Sequence, residues 1–510
     1  MKAKRILSLL AVMLVATMLL SLVGCSELLG LVDPDADESS DVSYIMVGDD
    51  DNTDNDGGED AGDAGSDDKG SNNSGDKGGS SGSSSSGKKV PEFNSTKSTA
   101  MERVLKQVPS DLKGTKIKMF VWWTPGTDDK NKAAAFNKAT GIKVSYENAV
   151  MDKYQTNLSA KIMGGNPPAI AAIVNEWYPQ PITRGLMQPI TNTGWKFTDK
   201  VYATSLMEQF SYNGKKYGIA LKTGTNCTFQ VMFYNKNILK QSGVTKDPYQ
   251  LWKAGNWNWD TCLDIAKKCT KKLAGDKQQY GLSLVGQYYW MLSAGQDFVK
   301  VGKDGKLTNN IKNSAVRNAW NYSWDIIWKE GVVDTSFKGQ DPFYQNTVAM
   351  LGGGSYLMQA EASRKNYVPQ NMKAGTWGVV PFPSPKGQTP VAAADGTVWG
   401  FPTKVKGDQL QAAAWYLCYY LDDMYNTNMK KSFYSNNQSW EVMKWMWNQK
   451  IQSYNSVGIL TYGGEHTAYT IQYSLIDETK TDKSKMTAQL DSWYATLGAN
   501  IKKIEAEAAK

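Results

Sequence analysis

Ile117-Lys118-Met119-Phe120-Val121, closed by Trp122-Trp123-Thr124-Pro125-Gly126, opens the stretch that decides the fold. Asp128 and Asp129 suit a helix start, the pattern carries that helix to Ala139, and Gly141 suits its end. Ile142 to Tyr146 predicts a second strand and Lys153 to Met163 a second helix. Pro167 and Pro168 then break the chain before a third strand, Ala169 to Val174. A β-α-β-α-β order predicts a parallel sheet with right-handed crossovers. A second series begins with a strand at Val231 to Tyr234, a helix at Trp259 to Lys271 and a strand at Gly281 to Val285. The expected fold class is therefore α/β, with two lobes whose parallel-core sheets are flanked by helices.

Aromatic residues divide into two sets by position. Trp320, Trp324 and Trp328 recur at helical spacing, as do Trp440, Met443 and Trp447, and the Trp415 to Leu421 helix is almost wholly apolar. These stripes are assigned to packing. The other set follows strand ends, where open parallel sheets bind ligands. Trp122 and Trp123 follow the first strand, and Asn175, Glu176, Trp177 and Tyr178 follow the third. Gln287, Tyr288, Tyr289 and Trp290 follow the strand at 281–285. Tyr356 follows the run at 347–351 and its three glycines, and Asp395 and Trp399 flank Val398. Aromatic faces beside carboxylates and amides suit sugars, because a pyranose ring offers a C–H face for stacking and a hydroxyl edge for hydrogen bonds. Ten residues are thus expected at a ligand: Trp122, Trp123, Glu176, Trp177, Tyr178, Tyr289, Trp290, Tyr356, Asp395 and Trp399.

Composition excludes several other chemistries. The chain has 510 residues and a single histidine, His466, which rules out His-rich metal centres and weakens the case for most triad chemistry. No metal and no cofactor is expected. Asn52 to Gly57 resembles the start of a calcium loop, but Asn52 stands at its first position, Asp63 at its last, and no helices flank it. The five cysteines make no disulfide framework. Cys262 and Cys269 lie roughly 10 Å apart along one predicted helix, too far to bridge, and Cys227 and Cys418 read as buried thiols. An exported chain without evident disulfides suits a reducing habitat.

The net charge of +7 hides an asymmetry. Residues 31–90 carry 16 acidic and 4 basic side chains, whereas residues 91–510 carry 50 basic and 33 acidic, a net of +17. Nucleic acid is not the expected partner, since the chain reads as exported and lacks a nucleic-acid motif. The basic body instead suits anionic wall polymers or the chain's own acidic segment. Lys2, Lys4 and Arg5 precede 18 uncharged residues, Ile6 to Val23, in the manner of a secretory signal. Leu22-Val23-Gly24-Cys25 resembles the lipobox of bacterial lipoproteins, in which the cysteine is lipidated. Residues 1–24 are read as the signal peptide, and residues 25–95, rich in Gly, Ser and Asp, as a flexible tether. A coil of about 65 residues spans roughly 45 Å. The expected location is the extracellular face of a Gram-positive cell membrane, held there by lipid.

Beyond these readings, the chain resembles family 1 extracellular solute-binding proteins of ABC transporters, the maltose-binding-like group. Gly164-Gly165-Asn166-Pro167-Pro168 resembles the family's strand entrance, with Ala169 where Asp is usual, and Gly185 to Ile190 its helix exit. Asn213 to Ile219 resembles the approach to the hinge, with Ala220 in place of Pro. Phe233 to Leu239 with Gly243-Val244, Trp257 to Asp260, Gly331 to Asp334, Val348 to Met350 and Trp377 to Pro383 follow in the family's order. The resemblance implies a two-lobed periplasmic-binding-protein-like fold of type II. It places lobe 1 at residues 96–222 plus 346–400 and lobe 2 at 223–345 plus 401–510 with C-terminal helices. It also implies a monomer that captures an oligosaccharide by hinge closure and delivers it to ABC permease subunits. Two rivals are a secreted glycoside-active enzyme, for which Glu176, Glu361 and Asp395 are the available carboxylates, and a surface adhesin that holds polysaccharide.

Overall fold

The computed structural model describes residues 89–91 and 100–509, apart from 198–200, 223–226, 284, 303, 337, 361–364, 429, 455, 464–470, 472 and 477–480. Cys25 and the signal, nearly all of the tether, the Asn52–Gly57 stretch, Glu361, His466 and part of the expected first crossing lie outside the described residues.

The opening unit forms as its sequence dictates. Strand β1 (Lys116–Val121) leads to helix α1 (Thr127–Thr140), whose end is set by Gly141 at φ 75°. Strand β2 (Lys143–Asn148), helix α2 (Met151–Met163) and strand β3 (Ile170–Val174) follow. β1 lies parallel to both β2 and β3. All five residues of β3 are buried, as expected of a parallel strand covered on both faces.

The second series starts with β4 (Cys227–Asn235), whose last residue, Asn235, caps the next short helix through its side chain. Helix α3 (Trp259–Cys269) is capped by Asn258, and strand β5 (Gln278–Ser283), helix α4 (Tyr288–Ser293), helix α5 (Ser314–Trp324) and strand β6 (Val333–Asp334) follow. Strand β7 (Val348–Gly354) lies parallel to β5 and antiparallel to β4, and strand β8 (Trp377–Pro381) pairs with β4 along its other edge.

One long strand joins the two halves. Strand β9 (Ala392–Pro402) pairs first with β4, Ala394–Gly396 against Phe229–Cys227, and then with β3, Thr397–Gly400 against Val174–Ala171. The sheet order is β6-β5-β7-β4-β9-β3-β1-β2. The chain thus crosses between lobes at the start of β4 and returns in β9.

This pairing corrects the expected lobe boundaries. Residues 348–354 and 377–381 hydrogen-bond to β4, so they belong to lobe 2, and the return lies near Ala394–Gly396 and not at 346. Helix α6 (Gly407–Asn428) packs on β1 and α1, which returns residues 407–428 to lobe 1. Its Tyr416 ring lies edge-on to Phe136, and its hydroxyl is 2.6 Å from that of Tyr146. Helix α7 (Asn437–Met446) packs on β8 in lobe 2. Helix α8 (Ser456–Leu460) lies on the turn after β3. The C-terminal helix α9 (Lys483–Ala508) spans both lobes: Lys483 pairs with Asp325 in lobe 2, and its far end packs on residues 180–183 of lobe 1.

The tryptophan stripes pack in part as expected. Trp320 is fully buried against Phe298 and Trp493. Trp324 and Trp328 are only partly buried, because each four-residue step turns about 400° and walks the stripe around the helix. A π-turn at Asp325–Lys329 adds to that drift. Cys262, Cys269 and Cys418 are free and buried. Among the described residues no helix is long and apolar enough to cross a membrane.

Candidate functional site

The ends of β1 and β3 bring the first aromatic group together beside β9. Trp122 and Trp399 stack with ring centroids 5.9 Å apart, and Trp123 meets both edge-on, at 5.1 and 6.0 Å. Trp177 stacks on Tyr154 at 4.8 Å, and Tyr154 in turn stacks on Phe120. The Tyr154 hydroxyl ties the group to the sheet by donating to the Phe120 carbonyl and accepting from the Ala172 amide. Within this group Trp123 is the partly exposed member, and its indole N–H donates to Asp129 at 3.0 Å. Burial holds the Asp129 carboxyl above its usual range, against that bond. Glu176 is also partly exposed, on the turn Asn175–Trp177.

Six of the ten expected residues are buried: Trp122, Trp177, Tyr178, Tyr289, Trp290 and Trp399. Tyr178 is fully buried and donates to the Ser211 carbonyl at 2.6 Å. Trp290 is 2% exposed because the chain after β5 enters helix α4, which turns its indole between Trp259, Tyr322 and Phe382. Trp399 is 0% exposed and stands in mid-strand, not at a strand end. The buried N–H groups of Trp122 and Trp399 lack hydrogen-bond partners, but so do those of Trp320, Trp415 and Trp447, so this feature does not by itself mark a site.

A second group forms where β9 meets β4, around Asp395. Tyr289 Oη donates to its Oδ1 at 2.7 Å, Gln230 Nε2 to its Oδ2 at 3.4 Å, and the Tyr454 hydroxyl adds a third bond. Tyr288 packs against both Tyr289 and Tyr454, and Phe382 lies 6.5 Å from Tyr289. Burial pushes the Asp395 carboxyl up to about 7, although the Tyr289 and Tyr454 bonds pull it down. Asp395 itself stays partly exposed. Tyr356 is partly exposed too, on a turn that folds back so that its ring crowds Gly354. A Cβ on that glycine would stand 2.5 Å from the ring. The triple glycine is thus explained by close packing, and β7 runs through it and does not end at Leu351.

The expected residues therefore fall into two groups joined by β9. Alternation places Asp395, Thr397 and Trp399 on one face of that strand. Gln230, Tyr454 and Tyr154 complete the groups without any sequence signal to mark them. Tyr454 follows the two-residue strand Ile451–Gln452, too short to show in the sequence, and Tyr154 sits inside helix α2. Among the described residues no cluster of three His, Cys, Asp or Glu side chains could hold a metal ion.

A family model for bacterial extracellular solute-binding proteins matches residues 132–452. Among solved structures, the cyclic α-maltosyl-1,6-maltose binding protein from Arthrobacter globiformis superposes with a TM-score of 0.56 at 15% identity, covering 76% of this chain and 99% of that one. The sugar-binding protein MalE from Xanthomonas citri gives 0.55 at 14% identity, covering 78% and 98%. An extracellular solute-binding protein from Staphylococcus aureus in complex with maltose gives 0.55 at 15% identity, covering 77% and 99%. At these identities the likeness is one of fold, the two-lobed arrangement. No curated protein matches the sequence.

Proposed function

The chain belongs to the bacterial extracellular solute-binding proteins, and we propose from that premise that it is the lipid-anchored binding component of a carbohydrate ABC importer. Cys25 carries the lipid, and the acidic segment holds the folded body away from the membrane. The two lobes close on an oligosaccharide by bending where β4 and β9 pair, which excludes water around it. The loaded protein then presents the sugar to the permease without altering it.

Trp123 supplies the stacking face, and Glu176, Asp395 and Tyr356 supply hydroxyl contacts. Trp122, Trp177 and Tyr289 hold these groups in place. The observation that carries the reading is the two-strand crossing with a partly exposed carboxylate, Asp395, set on it beside partly exposed aromatics. The three structural relatives support a sugar as ligand, since each is described with one.

Calorimetry of the folded protein against a panel of oligosaccharides tests this. One or more bind saturably, without product formation, and Trp123→Ala weakens binding about tenfold or more, in keeping with the loss of one stacked ring. The reading falls if no sugar binds or if Trp123→Ala binds unchanged. Mass analysis of the mature N-terminus tests the anchor, and an unmodified Met1 would remove it.

A further inference from the structure

Among the described residues, no cation pairs with the Asp395 carboxylate. Its partners are the Tyr289 and Tyr454 hydroxyls and the Gln230 amide, all neutral. The elements packed against it present Thr228 and Gln230 from β4, Tyr288 and Tyr289 from α4, Tyr356 from the turn after β7, and Tyr454 from the segment before α8. Among the described residues no lysine or arginine reaches it. The partly exposed carboxylate of Glu147, by contrast, has both Lys118 and Lys161 on it.

A buried carboxylate needs a partner of opposite charge or it drifts toward neutrality. Two phenols and an amide satisfy three of its roughly four lone-pair sites but supply no charge. A neutral sugar hydroxyl would add a fourth hydrogen bond and again no charge. Closing the lobes over such a pair would deepen the burial of an uncompensated anion. An ammonium group supplies both the donor and the charge, and the surrounding tyrosine faces favour it further.

We propose that the ligand presents a protonated amine to Asp395, so that the captured oligosaccharide contains an amino sugar. This rests on the oligosaccharide reading above and names its class. The placement agrees with a ligand of several rings. Asp395 and Trp399 are on one face of β9, about 13 Å apart along the strand, and Trp399 lies against Trp123. A chain stacked on Trp123 then ends with its amine at Asp395. Since burial holds Asp395 near 7, an arriving ammonium draws its proton off, and below that pH, where the amine arrives already charged, binding releases protons to the buffer.

The test is calorimetry of the folded protein near pH 6 with three probes: a glucosamine tetramer, the N-acetylglucosamine tetramer and maltotetraose. The glucosamine tetramer binds at least tenfold tighter than its acetylated form. Its binding heat varies with the ionisation heat of the buffer, in the sense of proton release. Asp395→Asn erases the preference, whereas Asp491→Asn, which removes an exposed carboxylate on α9, retains it. Equal affinity for the two tetramers overturns the proposal, as does a preference that survives Asp395→Asn. If maltotetraose binds and the glucosamine tetramer does not, the amine falls and the oligosaccharide reading stands. If none of the three binds, and no other sugar does, both fall together. Should Asp395→Asn fail to fold, the wild-type tetramer ratio and the buffer dependence still decide.

Discussion

Trp122 and Trp399 lie face to face, 13° from parallel, although one follows the end of β1 and the other stands inside β9. The stack joins the last strand of lobe 1 to its first across the intervening β3. Removing either ring opens a void that the rigid strands cannot close. Trp399→Ala is therefore expected to cost about 3–5 kcal/mol of stability, measured by denaturant unfolding. Trp123→Ala, which removes a partly exposed ring, costs about 1 kcal/mol while weakening sugar binding. The same unfolding series separates the two roles.

Asp395 makes stability depend on pH with a definite sign. Its folded-state value, about 7, lies above the ordinary carboxylate value, so between roughly pH 4 and 7 the native state binds more protons than the unfolded one. Its contribution is complete at acid pH and is lost as the pH rises through 7. Asp395→Asn flattens that part of the stability curve, read from denaturant midpoints at pH 4, 5.5, 7 and 8. A variant whose curve falls as steeply as the wild type across this window would contradict the assignment.

Arg103, on the first described helix, donates through Nε to Asp422 Oδ1 at 2.6 Å, and both side chains are almost wholly enclosed. Removing one partner leaves the other charge buried alone. Arg103→Ala is expected to destabilise by about 3–5 kcal/mol, seen as a lower midpoint in thermal or denaturant unfolding. Asp422→Asn in the same background restores part of the loss, because it removes the stranded charge.

Gly458 lies beneath the turn that carries Glu176. A Cβ there would stand 2.2 Å from the Tyr178 carbonyl oxygen and 2.7 Å from that of Glu176. Both contacts are backbone, so neither side can yield by rotating. Gly458→Ala is expected to cost about 1–3 kcal/mol and to weaken sugar binding by displacing Glu176. Calorimetry of the folded variant measures the second effect apart from the first.

The sequence made the β1-α1-β2-α2-β3 unit readable, because its turns are marked by Asp128, Gly141 and Pro167 and its strands alternate with full-length helices. The crossing was less readable. β9 is eleven residues long and serves four neighbours in turn: Ile451–Gln452, β4, β3 and Met187–Gln188. A run such as Ala392 to Pro402 shows no local sign of where one partner gives way to the next. Trp290 and Trp399 looked alike as residues near strand ends. One sits on a short helix, Tyr288–Ser293, that follows the strand, and the other sits inside a strand longer than its apolar core. Asp395 was visible as a carboxylate, but its neutral partners Gln230 and Tyr454 come from segments 165 and 59 positions away, which no local pattern connects.

The pairing of Val174 with Thr397 also bears on the order in which the molecule can assemble. As the chain is made, β1, β2 and β3 emerge early, but the free edge of β3 stays open until β9 arrives. The β4 to β8 sheet, drawn from residues 227–381, needs no such late arrival. The second lobe's sheet can therefore be completed first, and the first lobe is closed only by the strand that returns from it, a long-range contact of the kind that slows folding. A translation stall before residue 392 would thus leave one sheet whole and the other with an edge open to wrong partners.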